Sequence, residues 1–135
     1  MWILTPTLHA DRGRYVQALV SPAGVRVESV GEHYLDEPGT ELTEAQRAAL
    51  EAHGWIAPPG PDADPDWGWP YNWWHEVSGP GDLLTAAGML TVALIEVHGL
   101  AANEPVAITI FPATNGEFRW EIDPSVPCGG HLIPV

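Results

Sequence analysis

The segment at residues 82–99 is the longest apolar stretch of the chain, and it constrains the fold more than any other feature. Many of its apolar side chains recur at alternating spacings of four and three residues, the repeat of one helical face. They are Leu83, Ala87, Leu90, Leu94 and Val97. Asp82 is suited to the N-cap and Gly99 to a left-handed C-cap. Apolar residues also occupy the other faces, so we expect a helix buried on all sides.

A membrane span is a poor fit to the same segment. It is shorter than the roughly 20 apolar residues that a span requires, and no Lys or Arg flanks either end. The chain has 135 residues, enough for a single domain, 1–135, with its own core.

The charge balance argues against two classes of partner. The chain has 18 acidic residues against 5 basic ones, a formal net charge of −13. Nucleic acids and anionic membranes require clustered positive charge, so neither is expected as a partner. The single cysteine, Cys128, rules out a disulfide framework within the chain. The first residues lack a basic stretch before an apolar core, so we expect no secretory signal and a cytoplasmic location.

The N-terminal part predicts strands. Residues 15–20 and 25–30 flank a turn at 21–24 with Pro and Gly in turn positions, which indicates a β-hairpin. We expect a short strand within residues 2–9 and an extension of the sheet through 33–35.

A capping box predicts the first helix. Thr43 at the N-cap and Gln46 three residues later, with Leu42 before them, are typical of a helix start. The helix is expected over 44–53 and should end at Gly54.

The C-terminal part predicts a strand at 105–112, a hairpin turn at Asn115-Gly116 and a second strand at 118–122. The tail, 124–135, is expected to be irregular. The predicted fold class is α+β, an antiparallel sheet of about five strands with two main helices on one face.

The segment 56–81 is rich in Pro and Gly, so we expect an irregular loop. It nevertheless carries four of the seven tryptophans: Trp67, Trp69, Trp73 and Trp74. Tryptophan is enriched at binding hot spots, and it also completes the cores of small domains. These four are the candidate binding residues, some exposed and others packed inward.

Catalytic and metal sites are weakly indicated. His75-Glu76, with His53 or His98, could form part of a metal site, but scattered histidines more often serve structure. Cys128 and His131 could pair as nucleophile and base, although nothing indicates a third group that would orient them. Asp62, Asp64 and Asp66 begin like a calcium loop, but Trp67 occupies the position that requires Gly. We therefore predict no catalytic residue, no metal and no cofactor.

Several short motifs together resemble a known family. They are a hairpin, a helix that starts at Leu42-Thr43 and closes on His53-Gly54-Trp55, Pro58-Pro59, Asn72-Trp73-Trp74, an apolar helix that closes on His98-Gly99-Leu100, and Pro105. This order, over about residues 15–105, resembles the actinobacterial TY-Chap domains, which are similar to type III secretion chaperones.

The resemblance implies an α+β fold with a curved antiparallel sheet, and a non-enzymatic role in holding another protein, often as a homodimer. The chain departs from the pattern in three places. No helix precedes the first strand, His53 stands where Leu is usual, and the C-terminal part does not match a closing helix.

The leading hypothesis is a non-catalytic, chaperone-like domain that binds an unidentified protein partner and can form a homodimer. One alternative is an immunity-type or regulatory inhibitor whose acidic surface binds a basic protein. The other is a metal-dependent enzyme that uses His75 and Glu76.

Overall fold

The computed structural model describes residues 2–6, 13–35, 37–59, 71–79, 81–110, 118–122 and 130–134. The strands are β1 (Trp2–Pro6), β2 (Val16–Ser21), β3 (Gly24–Ser29), β4 (Trp73–Val77), β5 (Val106–Ile110), β6 (Phe118–Ile122) and β7 (Gly130–Pro134). The α-helices are α1 (Glu44–Ala52) and α2 (Asp82–Val92). The fold is α+β, as predicted.

Within the described residues, the strands form one antiparallel sheet of seven strands in the order β4-β3-β2-β1-β5-β6-β7. The prediction of about five strands was therefore wrong. The two additional strands lie in segments that were expected to be irregular, because β4 is part of the tryptophan-rich segment 56–81 and β7 lies in the tail 124–135. Each of these strands is five residues long. Strand β4 pairs with β3, which is distant in sequence, and β7 pairs with β6, the strand that precedes it.

The predicted hairpin of β2 and β3 is confirmed, with Ala18 opposite Val27 and Ser21 opposite Gly24 across the turn. The predicted extension through 33–35 was wrong. Glu32–Tyr34 instead forms a 3-10 turn, in which the Tyr34 N–H donates to the Gly31 carbonyl oxygen at 3.1 Å.

The inner face of the sheet is defined by register. Val16 pairs with Ser29, and Ser29 pairs with Trp73, so these three residues share one face across β2, β3 and β4. All three are buried. Helix α2 packs on this face, mainly against β3 and also against β4 and β2.

Helix α1 begins with the predicted capping box. The Thr43 hydroxyl accepts from the Gln46 N–H at 3.2 Å, and the Gln46 side-chain oxygen accepts from the Thr43 N–H at 2.8 Å. The Gln46 amide nitrogen also donates to the Val97 carbonyl oxygen at 2.7 Å. The cap therefore joins the start of α1 to the chain that follows α2.

Helix α2 starts one residue from the predicted cap. Gly81, with φ of 79°, takes the N-cap position, and Asp82 is the first helical residue. After Val92 the helix continues as a π-helical turn, Ala93–Val97, and the chain then reverses at Gly99, whose φ is 70°. The predicted glycine at the C-terminal end is confirmed.

The expectation that α2 is buried on all sides was wrong. Its sheet-facing side is buried, as shown by Ala86 and Leu90 and, in the π-helical turn, Leu94 and Val97. The opposite side is exposed. A helix laid on one sheet contacts that sheet along one face only, so the apolar residues on its far side need a further layer to bury them.

Gly31 lies where two chain segments cross. A Cβ at this residue would clash with the Tyr71 carbonyl oxygen. We expect Gly31→Ala to lower the free energy of unfolding by about 1–3 kcal/mol, because the backbone at Tyr71 must move. Gly88→Ala is the matched control, since a Cβ there meets nothing within 4 Å. It should be neutral or stabilising by up to about 1 kcal/mol in a helix. Urea denaturation of both variants tests this, and equal stabilities would contradict it.

The capping box generates a second prediction. Thr43→Ala removes the side-chain acceptor of the Gln46 N–H, and it should lower the free energy of unfolding by about 1 kcal/mol. Thr43→Ser keeps a hydroxyl in place and should stay within a few tenths of a kcal/mol of the parent chain. Urea denaturation midpoints compare the three proteins. A Thr43→Ala protein as stable as the Ser variant would show that the cap contributes nothing.

Candidate protein-binding surface

The structure separates the candidate tryptophans. Trp73 is only 3% exposed and belongs to the core, where it supports β4 from the inner face. Trp74 points to the outer face of the sheet and is half-buried, with the Arg26 guanidinium 4.7 Å from its ring centroid. Trp67 and Trp69 lie outside the described residues, so their binding role stays a prediction.

Four residues of the metal hypothesis are described by the structure, namely His53, His75, Glu76 and His98, and they do not form a metal site. His75 and Glu76 are consecutive in β4 and lie on opposite faces, with His75 opposite Val27 and Glu76 opposite Arg26. In the described part of the chain, no group of three His, Cys, Asp or Glu side chains could hold a metal ion. Cys128 and the Asp62–Asp66 carboxylates fall outside the described residues, and the side chain of His131 is likewise not described.

The two other histidines of that hypothesis have structural contacts. His98 is buried, and its Nε2 lies 2.8 Å from the Ser29 hydroxyl, which joins the end of the α2 segment to β3. His53 is exposed, and its Nε2 lies 2.8 Å from a Glu96 carboxylate oxygen.

A buried amide organises one end of the sheet. The Asn72 Oδ1 accepts from the Tyr15 hydroxyl at 3.3 Å and from the Gly31 N–H at 3.2 Å. Its Nδ2 donates to a Glu28 carboxylate oxygen at 3.1 Å. Glu28 also accepts from Arg26 at 2.8 Å, which extends the network across the outer face of β3. The Asn72-Trp73 pair of the sequence motif is thus a structural junction.

The exposed side of α2 and of the π-helical turn that continues it carries a largely apolar stripe, which we call the exposed α2 face. Its members lie on one side of the helix and are all exposed: Leu84, Ala87, Gly88, Thr91 and Ile95. The two large side chains at its ends are 81% exposed for Leu84 and 52% exposed for Ile95. Leu83, 57% exposed, lies beside its N-terminal end.

The side chains in the middle of this face are small, and its one hydroxyl group, that of Thr91, already has a hydrogen-bond acceptor. The Thr91 Oγ1 donates to the Ala87 carbonyl oxygen at 2.8 Å, so this hydroxyl requires no partner from outside. From residue 84 to residue 95 a helix rises roughly 16 Å. The result is a shallow apolar strip with a large side chain at each end.

Sequence reasoning missed this face because it assigned every apolar position of the segment to the core. The signal was nevertheless present. An all-round apolar helix needs cover on every side, and a chain with two helices and one sheet offers few layers to provide it.

The described part of the chain is thus an antiparallel sheet that supports a helix whose outward face is apolar. The profile of the TY-Chap3 family, described as T3SS (YopN, CesT) and YbjN peptide-binding chaperone 3, matches residues 2–109, and the chain belongs to this family. The family resemblance drawn from the sequence is confirmed. No characterised protein and no solved structure shows significant similarity to the chain.

The structure also bears on the membrane question. Among the residues that it describes, no helix combines the length and the apolar content needed to cross a bilayer.

The Asn72 junction generates a pH prediction. Burial raises the pKa of Tyr15 above its ordinary value of 10.0, and the hydrogen bond to Asn72 offsets this only in part. A raised pKa in the folded state means that stability is fully present below about pH 10 and falls as the pH rises through the folded pKa.

We therefore expect the free energy of unfolding to fall between about pH 9 and pH 11 in the parent chain, and to fall less in Tyr15→Phe. Urea denaturation across this range compares the two slopes. Equal slopes would show that the ionisation of Tyr15 is not coupled to folding.

Proposed function

We propose that this chain is a non-catalytic, chaperone-like domain that holds an apolar segment of another protein against the exposed α2 face. The observation that carries the proposal is the exposure of Leu84 and Ile95 on a helix whose other side anchors the core. Large contiguous apolar exposure on a soluble domain marks an interaction site. Membership of a family described as peptide-binding chaperones supports the same function.

The shape of the face favours an extended or helical peptide. Ala87 and Gly88 add little bulk between the two large side chains, so a partner backbone can approach the helix closely. Burial of a Leu or Ile side chain contributes about 1.5–3 kcal/mol before the costs of association. Two such anchors suit a moderate affinity, which fits a domain that must release what it holds. Trp67 and Trp69 are proposed as additional contacts, whereas Trp74 lies on the outer face of the sheet, on the side away from α2.

The test uses an array of 15-residue peptides that span apolar and polar sequences. The parent chain should bind a subset of apolar peptides. For the best of them, Leu84→Ser and Ile95→Ser should each weaken affinity about tenfold, which corresponds to the loss of one anchor. Leu19→Ser is the matched control, because Leu19 is also exposed but lies on β2. It should leave affinity unchanged.

Two outcomes would overturn the proposal. The first is the absence of peptide binding by the parent chain. The second is that the α2 variants bind as well as the Leu19 variant. Light scattering on the same proteins separates a further possibility: if Leu84→Ser turns a dimer into a monomer and peptide affinity stays constant, the face joins two copies of the chain instead.

Salt dependence separates the proposal from an acidic inhibitor of a basic protein. Apolar binding should persist as the ionic strength rises, whereas association driven by the −13 charge should weaken steeply.

A further inference from the structure

An exposed aromatic cluster lies beside the Asn72 junction, and the proposed function does not use it. We call His33, Tyr34 and Tyr71 the tyrosine cluster. The His33 ring stacks on Tyr71 with centroids 3.8 Å apart and planes 17° from parallel, and Tyr34 meets both rings edge-on. The tyrosines are 48% exposed for Tyr34 and 40% exposed for Tyr71.

The backbone beneath the cluster is held closely. The carbonyl oxygen of Tyr71 abuts Gly31, where no Cβ could fit, and the Gly31 carbonyl oxygen accepts from the Tyr34 N–H at 3.1 Å. The Gly31 N–H donates to Asn72, which follows Tyr71 in the chain. Both tyrosines therefore extend from one closely packed stretch of backbone, so little backbone freedom is left to lose when a partner binds.

The charge of the domain favours a cationic partner at such rings. Formal net charge is −13, and the arginines whose side chains are described are already engaged. Arg14 donates to backbone carbonyls, Arg26 pairs with Glu28, and Arg47 pairs with Glu32 at 3.2 Å. A positively charged segment would therefore be drawn to the domain over several ångströms.

The fold already contains the contact that such a partner would make. On the outer face of the sheet, the Arg26 guanidinium lies 4.7 Å from the Trp74 ring centroid. Within the described residues, no comparable cation lies over Tyr34 or Tyr71. His33 covers one face of Tyr71, and the remaining exposed surface of Tyr71 and Tyr34 offers the same negative quadrupole as the Trp74 ring.

We propose that the tyrosine cluster binds an arginine or lysine side chain of the held segment through cation–π contacts on Tyr34 and Tyr71. The inference rests on the proposed function and adds a chemical requirement to it. A preferred segment then carries apolar residues for the exposed α2 face and a basic residue for the cluster.

The first experiment uses the probe peptide acetyl-Gly-Arg-Gly-Arg-Gly-amide and its citrulline counterpart, in which each guanidinium is replaced by a neutral urea group of the same shape. NMR titration of the parent chain should shift the ring resonances of Tyr34 and Tyr71 with the arginine peptide. The citrulline peptide should bind at least fivefold more weakly. Equal affinities would overturn the proposal, because charge would then play no part.

Matched variants isolate the ring face. Tyr34→Phe with Tyr71→Phe keeps both rings and should bind the arginine peptide within about twofold of the parent chain. Tyr34→Leu with Tyr71→Leu keeps apolar area but loses the quadrupole, and it should bind about five- to tenfold more weakly. Equal binding by the Leu and parent proteins would overturn the proposal. If the double Leu variant fails to fold, Tyr34→Leu alone should weaken binding about two- to fivefold.

A cross-test distinguishes this proposal from the proposed function. Leu84→Ser should leave the affinity for the arginine peptide unchanged, and the Tyr→Leu variants should still bind purely apolar peptides. If the chain binds apolar peptides but does not distinguish the arginine peptide from the citrulline peptide, only the proposal for the tyrosine cluster is overturned. If the arginine peptide shifts the tyrosine resonances but the chain binds no apolar peptide, the proposed role of the exposed α2 face is overturned. The cluster then remains a site for basic peptides.

Discussion

The packing of α2 on the inner face of β3 is the interaction on which the rest of the structure depends. Val27 of β3 and Leu90 of α2 both belong to the buried core, and Ser29 bonds to His98 just beyond the helix. Through Gln46 and the Val97 carbonyl oxygen, α1 is attached to the same helical segment. A small domain gains most of its stability from one such apolar layer.

The same geometry accounts for the surface. A helix that rests on a sheet buries one face, and a helix with apolar residues on every side must then expose some of them. Leu84 and Ile95 are exposed for this reason. An apolar strip of this kind favours association with another chain, whereas the high negative charge opposes non-specific aggregation. The combination suits the proposed binding of apolar segments.

Asn72 connects the core to the second surface feature. Its amide has two acceptor bonds and one donor bond to Tyr15, Gly31 and Glu28, so a buried polar group is largely satisfied where two chain segments cross. Because the crossing is tight, Tyr71 is held at a fixed position. In the Asn72-Trp73-Trp74 motif, Asn72 therefore joins the two chain segments by hydrogen bonds, and Trp73 packs in the core.

Local sequence determined the elements whose stabilising contacts lie within a few residues of each other. The capping box of Thr43 and Gln46, the turn between β2 and β3, and the glycine that ends the α2 segment are of this kind. Their chemistry is complete within one turn of chain, so pattern and residue type sufficed to predict them.

Tertiary structure decided the remainder, because the contacts involved join residues that are distant in sequence. Strand β4 forms because its backbone hydrogen-bonds to β3. Trp73 and Trp74 point to opposite faces of the sheet only when this pairing is formed. Tyr34 meets Tyr71 only where the chain crosses at Gly31. Periodicity identified α2 as a helix, but which of its apolar sides is buried depended on the number of layers that the complete fold could place against it.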